Sequence, residues 1–389
     1  MLDEILLLTN GPGELSTWVP PVLSRLRQRV PQARVELFLI RDQFAAGTEA
    51  LKARELPLEA LSGRRAFLRR LVAGRARGRG LVLMLGGAPR DAVWLGRATG
   101  YPAFAYTFDP KAFHPGLRAV LVDSERTRRA MMAQGADPSR VAVVGNLVVD
   151  ALCEAQPYPS LEVDVLLFAG SRPFAARYML GFLLAAAERM ALERPQLRFA
   201  WVRSRLLPEA VVAEALEARE VRALGGVGAR WEGDRLRTEG GLEVQVLDEN
   251  LRYSAMRQAH LALTLPGTNT LELALARLPS LVLLPLHKPE LLPLEGVLHW
   301  LLRLPGTGPL KRHLVWRLAS QIPFLALPNQ WLGEAVFPEL RGAFTPDEVA
   351  RAGLGLLSRG PEVRARLERL QAEPGADNLV AHLLLCEVR

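Results

Sequence analysis

Short apolar runs recur along the chain, each followed by a turn and then by a stretch with helical spacing. EILLLT (4–9) leads through NGPGELS into VPPVLSRLRQRV, and DVLLFAG (164–170) leads through Ser171-Arg172 into PFAARYMLGFLLAAAERM. In the first half further runs are VELFLI (35–40), LVLMLG (81–86), PAFAY (102–106), AVLVD (119–123) and VAVVG (141–145). In the second they are RFAWVR (198–203), EVQVLD (243–248), LALTL (261–265) and LVLLP (281–285). Runs without polar alternation predict strands buried on both faces, and their alternation with helices predicts parallel sheets. The fold class expected is α/β: two Rossmann-like domains with parallel sheets facing a central cleft. The Pro-containing stretch CEAQPYPSLEVD (153–164) joins them. The expected division is 1–158 and 159–364, with a C-terminal helix, 365–389, able to pack back on the first domain. WEGDRLRTEGG (231–241) reads as a polar hairpin or loop and carries no assigned chemistry.

Length agrees, since 389 residues exceed one ordinary core. Cys153 and Cys386 match no metal or redox spacing and fit a reducing compartment. Asp3 and Glu4 precede the first apolar run, which suits a first strand better than a signal peptide. No run approaches the roughly 18 apolar residues a membrane span requires, so a cytoplasmic protein is expected. The formal charge is +8, almost all from arginine, because lysine occurs only at 52, 111, 288 and 311. Two readings stand equal: a solvated surface, or attraction to anionic lipid headgroups and phosphates. RRAFLRRLVAGRARGRG (64–80) is the dense basic run, and its single aromatic, Phe67, argues against nucleic acid.

In ligand-binding sheets of this class the ligand sits beyond the carboxyl ends of the strands, where three loops fall. In NGPGELSTW (10–18), Gly11 and Gly13 permit a tight turn, and Ser16 or Thr17 can cap a helix. The loop matches the dinucleotide fingerprint poorly, so NAD is not expected. Glu14 is either a polar ligand contact or an ordinary first-turn acid. In FAGSRP (168–173), Arg172 beside free amides makes a compact diphosphate site, the alternative being a surface arginine in a strand–helix turn. In LTLPGTNTLE (263–272), Gly267, Thr268, Asn269 and Thr270 stand at a helix start, where amides and the macrodipole favour anions. Thr268 and Thr270 can donate to phosphate oxygens, and Glu272 can accept both hydroxyls of a ribose. A threonine cap with Glu272 as capping acid is the plainer alternative. The six histidines show no ligand spacing and Asp-x-Asp is absent, so no metal is expected; arginine and helix dipoles would neutralise a leaving diphosphate.

Gly170-Ser-Arg-Pro, RYSAMRQAHLALTLPGTNTLELALARLPSLVLL (252–284) and LPNQWLGEAVFPEL (327–340) resemble the signatures of lipid-A-disaccharide synthase, an inverting glycosyltransferase of GT-B fold. Order and spacing hold across most of the C-terminal half; the N-terminal half matches through Gly13-Glu14 and Ala88-Pro89. The resemblance implies that Gly170, Ser171, Arg172, Gly267, Thr268, Asn269, Thr270, Glu272 and Asn329 hold the nucleotide diphosphate of a UDP-sugar. It also implies that the N-terminal loops take a lipid acceptor, with a carboxylate as base. Glu14 and Asp91 lead as that base, with Asp109 and His114 behind them. The departures, Gly-Pro-Gly-Glu-Leu-Ser-Thr in the first loop and Arg90 directly after Ala88-Pro89, fall on the acceptor side. They point to the lipid-A-disaccharide synthase-related branch, whose acceptor need not be a lipid A precursor. The basic, Leu- and Trp-containing segment 286–327 is either a membrane-interface element or a buried helix pair. A UDP-sugar 2-epimerase of the same fold and a non-catalytic nucleotide- or lipid-binding relative are the alternatives.

Overall fold

The computed structural model describes residues 2–40, 53–155, 161–287, 317, 321–370 and 372–387. Two compact units divide the chain: residues 1–155 with 372–389, and residues 156–371.

The first unit is built on a seven-stranded sheet in the order β3-β2-β1-β4-β5-β6-β7. Its strands are β1 (Glu4–Thr9), β2 (Arg34–Leu39), β3 (Ala60–Gly63), β4 (Gly80–Leu85), β5 (Ala103–Thr107), β6 (Ala119–Val122) and β7 (Val141–Val143). Every pairing is parallel. β1 and β4 are buried along their whole length, as unbroken apolar runs should be. Sequence order reverses between them, and Thr9 Oγ1 donates to the Leu85 carbonyl at 3.0 Å where both strands end. Their loops therefore emerge side by side.

The helix Ala376–Glu387 completes this unit. Its start is capped from another helix, Leu147–Glu154: the buried Asp150 accepts the Gly375 amide at 2.5 Å and the Asp377 amide at 2.9 Å. Arg25 binds Asp377 at 2.8 Å. Asp150→Ala leaves the buried Asp377 amide and the partly buried Gly375 amide without acceptors, and a loss of about 1–3 kcal/mol is expected in urea unfolding.

The second unit holds an eight-stranded sheet, β10-β11-β12-β9-β8-β13-β14-β15. The strands are β8 (Val165–Leu167), β9 (Phe199–Arg203), β10 (Ala229–Glu232), β11 (Arg235–Thr238), β12 (Glu243–Asp248), β13 (Leu261–Thr264), β14 (Ser280–Pro285) and β15 (Glu339–Gly342). Pairing is parallel except where β10 and β11 fold as a hairpin onto β12. Order reverses between β8 and β13, which pair directly. Two α/β units with mainly parallel sheets match the class expected from the apolar pattern.

Most of the basic segment after His287 lies outside the described residues. Among the described residues no helix is long and apolar enough to cross a membrane.

Candidate functional site

In the second unit the two glycine loops lie at the point of strand-order reversal. β8 continues into Phe168, whose amide donates to the Leu263 carbonyl of β13 at 2.9 Å. Gly170 then turns with φ +88°, a conformation that disfavours any side chain, and a Cβ there would meet Leu265 Cδ1 at 3.0 Å and Ala175 Cβ at 3.1 Å. This glycine lets the two loops touch. Arg172 is the N-cap of the 21-residue helix Pro173–Glu193. Pro173 has no amide, and the first helical bond is Ala176 to the Arg172 carbonyl at 3.0 Å. The amides of Phe174 and Ala175 are thus the uncommitted donors of a long helix, beside a guanidinium.

The companion loop behaves less uniformly. Gly267 and Thr268 are exposed, and the Thr268 hydroxyl makes no hydrogen bond among the described residues. Thr270 is different: buried, its hydroxyl donates to the Gly267 carbonyl at 2.7 Å and accepts the Leu327 amide at 3.1 Å. Its single proton is spent inside the protein, which sets it against the phosphate-donor role expected of it and leaves Thr268 as the candidate hydroxyl. Asn269 donates to Thr264 Oγ1 at 3.1 Å, tying the loop to the end of β13.

Asn329 also departs from expectation. It is fully buried, and its amide donates to the Phe337 carbonyl at 2.7 Å and to Glu339 at 2.9 Å. Its oxygen accepts the amides of Val336 and Phe337 at 2.9 and 2.8 Å. Four bonds exhaust a primary amide. Asn329 shapes the loop and has no capacity left for a nucleotide. Glu339 assists by accepting the Leu325 and Ala326 amides, each at 2.9 Å, and Arg341 reaches the Ile322 carbonyl at 2.6 Å.

Glu272 is 7% exposed and receives Arg252 Nε at 3.0 Å. Arg252 also donates to the Tyr253 hydroxyl at 2.7 Å and lies 4.1 Å from that ring's centroid. Burial works against the Arg252 charge, but Tyr253, Glu272 and Glu249 outweigh it and hold the guanidinium above the ordinary arginine range. The carboxylate proposed for a ribose is therefore held in place by a cation. Neither Arg252 nor Glu339 is singled out by the sequence patterns. The available signal for Arg252 is its position, a cation opening the helix Arg252–Gln258, where the macrodipole disfavours it unless an acid answers.

In the first unit the loops after β1 and β4 converge on Glu14. A Cβ on Gly86 (φ +73°) would meet Glu14 Cγ at 2.6 Å and Trp18 at 3.1 Å, and one on Gly11 would fall on the Glu14 carboxylate. Two bare glycines thus make the space in which Glu14 lies. Trp18, Tyr106 and Phe108 pack edge to face beside it, with centroids 4.7–5.6 Å apart. Asp91 lies in the first turn of the helix Pro89–Thr99; burial raises its pKa above the usual aspartate value, against the pull of Arg90 and Arg64. Asp109 is exposed and accepts the Lys111 amide at 2.9 Å, while His114 Nδ1 accepts the Gly116 amide at 3.0 Å. Both are committed to their own turns.

An open groove of about 850 Å³ lies elsewhere, between the β10–β11 hairpin and the helix Glu209–Glu217. Its Arg222 and Arg237 are engaged by Glu239, Glu232 and Glu243.

Two mainly parallel α/β units, each with its loops gathered at a strand-order reversal, define a GT-B type fold. Solved structures of similar fold include UDP-GlcNAc 2-epimerase from Neisseria meningitidis bound to UDP-GlcNAc, at 12% identity and TM-score 0.56, over 98% of this chain and 99% of that one. Another is the UDP co-structure of S. aureus MnaA, at 12% identity and TM-score 0.53, over 93% and 91%. At such identities the likeness is one of fold. No protein-family model and no curated protein matches the chain.

Proposed function

We propose that the chain is an inverting glycosyltransferase that moves a sugar of N-acetylglucosamine type from UDP to a hydroxyl of a membrane lipid or of a lipid A precursor-like acceptor. One observation carries the donor half of this reading: the Gly170–Arg172 loop, at the head of a 21-residue helix, lies against Leu265 at the start of the loop that follows β13, where the strand order reverses. Free amides, the helix dipole, Arg172 and the Thr268 hydroxyl suit the two phosphates of UDP, with no metal assigned to the site. Gly170, Ser171 and Gly267 let the backbone approach the ligand, Asn269 fixes the loop, and Glu272 takes the ribose hydroxyls.

The acceptor half rests on Glu14 and Asp91. The acceptor oxygen attacks the anomeric carbon as a carboxylate removes its proton, and the bond from that carbon to UDP breaks with UDP leaving as the anion. Asp91 is the better base, because burial brings its pKa toward the working pH; Glu14 orients the hydroxyl. A base must be ionised, so kcat/KM falls as pH drops through the Asp91 pKa, with a midpoint above that of an ordinary aspartate. Asp91→Asn removes that acid limb and lowers kcat about 100-fold or more; an unchanged profile assigns the proton transfer elsewhere.

A UDP-sugar 2-epimerase is the second reading, supported by the fold likeness to a UDP-GlcNAc-bound epimerase. Incubation with UDP-GlcNAc, alone and with a total lipid extract, separates the two by mass spectrometry. Sugar on lipid supports transfer, the 2-epimer formed without lipid supports epimerisation, and saturable UDP binding without either product identifies a non-catalytic relative.

A further inference from the structure

We propose that two copies of this chain associate through the free edge of the second sheet, β10 pairing antiparallel with β10 of the other copy about a two-fold axis at Trp231. β10 ends the sheet, and it joins β11 through the turn Gly233-Asp234, with Glu232 opposite Arg235. In a hairpin so tight the closing pair exchanges its backbone bonds, and bonded pairs alternate with unbonded ones along the ladder. Arg230 is therefore bonded to Arg237, while Ala229 and Trp231 turn their amides and carbonyls to the open edge. Among the described residues neither backbone makes a hydrogen bond outside the sheet. The opposite edge of this sheet is closed: Glu339 of β15 accepts the Leu325 and Ala326 amides, and Arg341 reaches the Ile322 carbonyl. In the first sheet, Arg128 Nε donates to the Val141 carbonyl of the edge strand β7 at 3.2 Å.

The charges of β10 select its partner. Directly opposed residues of an antiparallel pair share a face, so the axis must pass through a residue of the strand and not between two. Only axes at Arg230 and Trp231 oppose more than one residue of the strand Ala229–Glu232. The first sets Arg230 against Arg230, which is unfavourable. The second sets each Arg230 against the Glu232 of the other copy, in the closely spaced unbonded position, about 4.5 Å apart at Cα. It also makes Trp231 the bonded pair, in agreement with its outward amide and carbonyl. The Trp231 side chain is 43% exposed, with the Arg203 guanidinium 6.0 Å from its ring centroid. Ala213 and Leu216 of the helix Glu209–Glu217 line the groove beside it. Backbone partners, opposite charges and an apolar wall thus meet in one register, and the sequence that fits it is that of β10 itself.

Sedimentation equilibrium of the full chain without donor or acceptor tests the proposal separately from the enzymatic reading. A reversible, concentration-dependent dimer is expected. Arg230→Glu opposes acid to acid at both ends of the pairing, and Glu232→Arg opposes cation to cation; each variant alone should dimerise roughly 10-fold more weakly or worse. The ion pairs of Glu232 with Arg230 and Arg237 lie at the surface, so both variants should keep nearly the wild-type melting temperature. An equimolar mixture of the two variants sets acid against cation at both positions and should restore wild-type association as a heterodimer. A chain that stays monomeric, a dimer that neither variant weakens, or a mixture that associates no better than its components would overturn the proposal.

Discussion

Replacing Arg172 with alanine is expected to weaken UDP binding about 100-fold, a loss of ~2–3 kcal/mol for a charge-assisted, bidentate contact. The size follows from the placement of the residue. Arg172 caps the helix Pro173–Glu193, so its backbone position is fixed by the helix and its side chain leaves from the point where the Phe174 and Ala175 amides are uncommitted. Lysine in its place would keep the charge and lose the planar fork, and Arg172→Lys should recover only part of the affinity. Thr268→Val removes one neutral donor and should cost less than about tenfold. Titration calorimetry with UDP reads all three; an alanine variant that binds like wild type would sink the diphosphate assignment, and the donor half of the proposed reaction with it.

Arg252→Met should destabilise the protein by about 3–5 kcal/mol in urea unfolding, because it strands the Glu272 carboxylate in a buried site. The Tyr253 hydroxyl loses its partner as well. Adding Glu272→Leu to the same chain removes the uncompensated charge, and the double variant should regain much of the lost stability. An additive loss would mean that the pair is not the unit that matters. UDP binding gives an independent reading: the double variant should fold and bind UDP weakly, since the carboxylate proposed for the ribose is gone.

How far these arrangements were legible depended on whether a residue's partner lies within its own local pattern. Runs such as LVLMLG and LALTL identify β4 and β13 because a strand covered on both faces has no polar position to interrupt it. β3 (ALSG) and β15 (ELRG) escape that rule because they close the sheets at an edge, where half-buried small and charged residues are tolerated. The glycine loops were legible as candidate anion sites because glycine, hydroxyl and helix start are contiguous. The division of labour within them was not. Thr268 and Thr270 look alike in sequence, but Thr270 is buried and accepts the Leu327 amide, 57 residues away, while Thr268 is exposed. Asn329 was assigned to the nucleotide through the resemblance of LPNQWLGEAVFPEL to a family signature, and not through any pattern of its own. Its partners Phe337 and Glu339 stand eight and ten residues further on, and no spacing rule links them. Glu14 was singled out by its loop, but its neighbour Gly86 belongs to a turn over 70 residues later.

The helix Ala376–Glu387 binds to a unit whose other elements all precede residue 156. Residues 156–371 are thus an insertion within the first unit, entered and left through the neighbourhood of Asp150 and Gly375. On the ribosome the first sheet emerges early, yet the amides that satisfy Asp150 arrive only after more than 200 further residues have been made. The inserted unit can complete itself in that interval. The first-made half of the protein is therefore the last to be finished, and its exposed flank along the Leu147–Glu154 helix is where a chaperone would find work during synthesis.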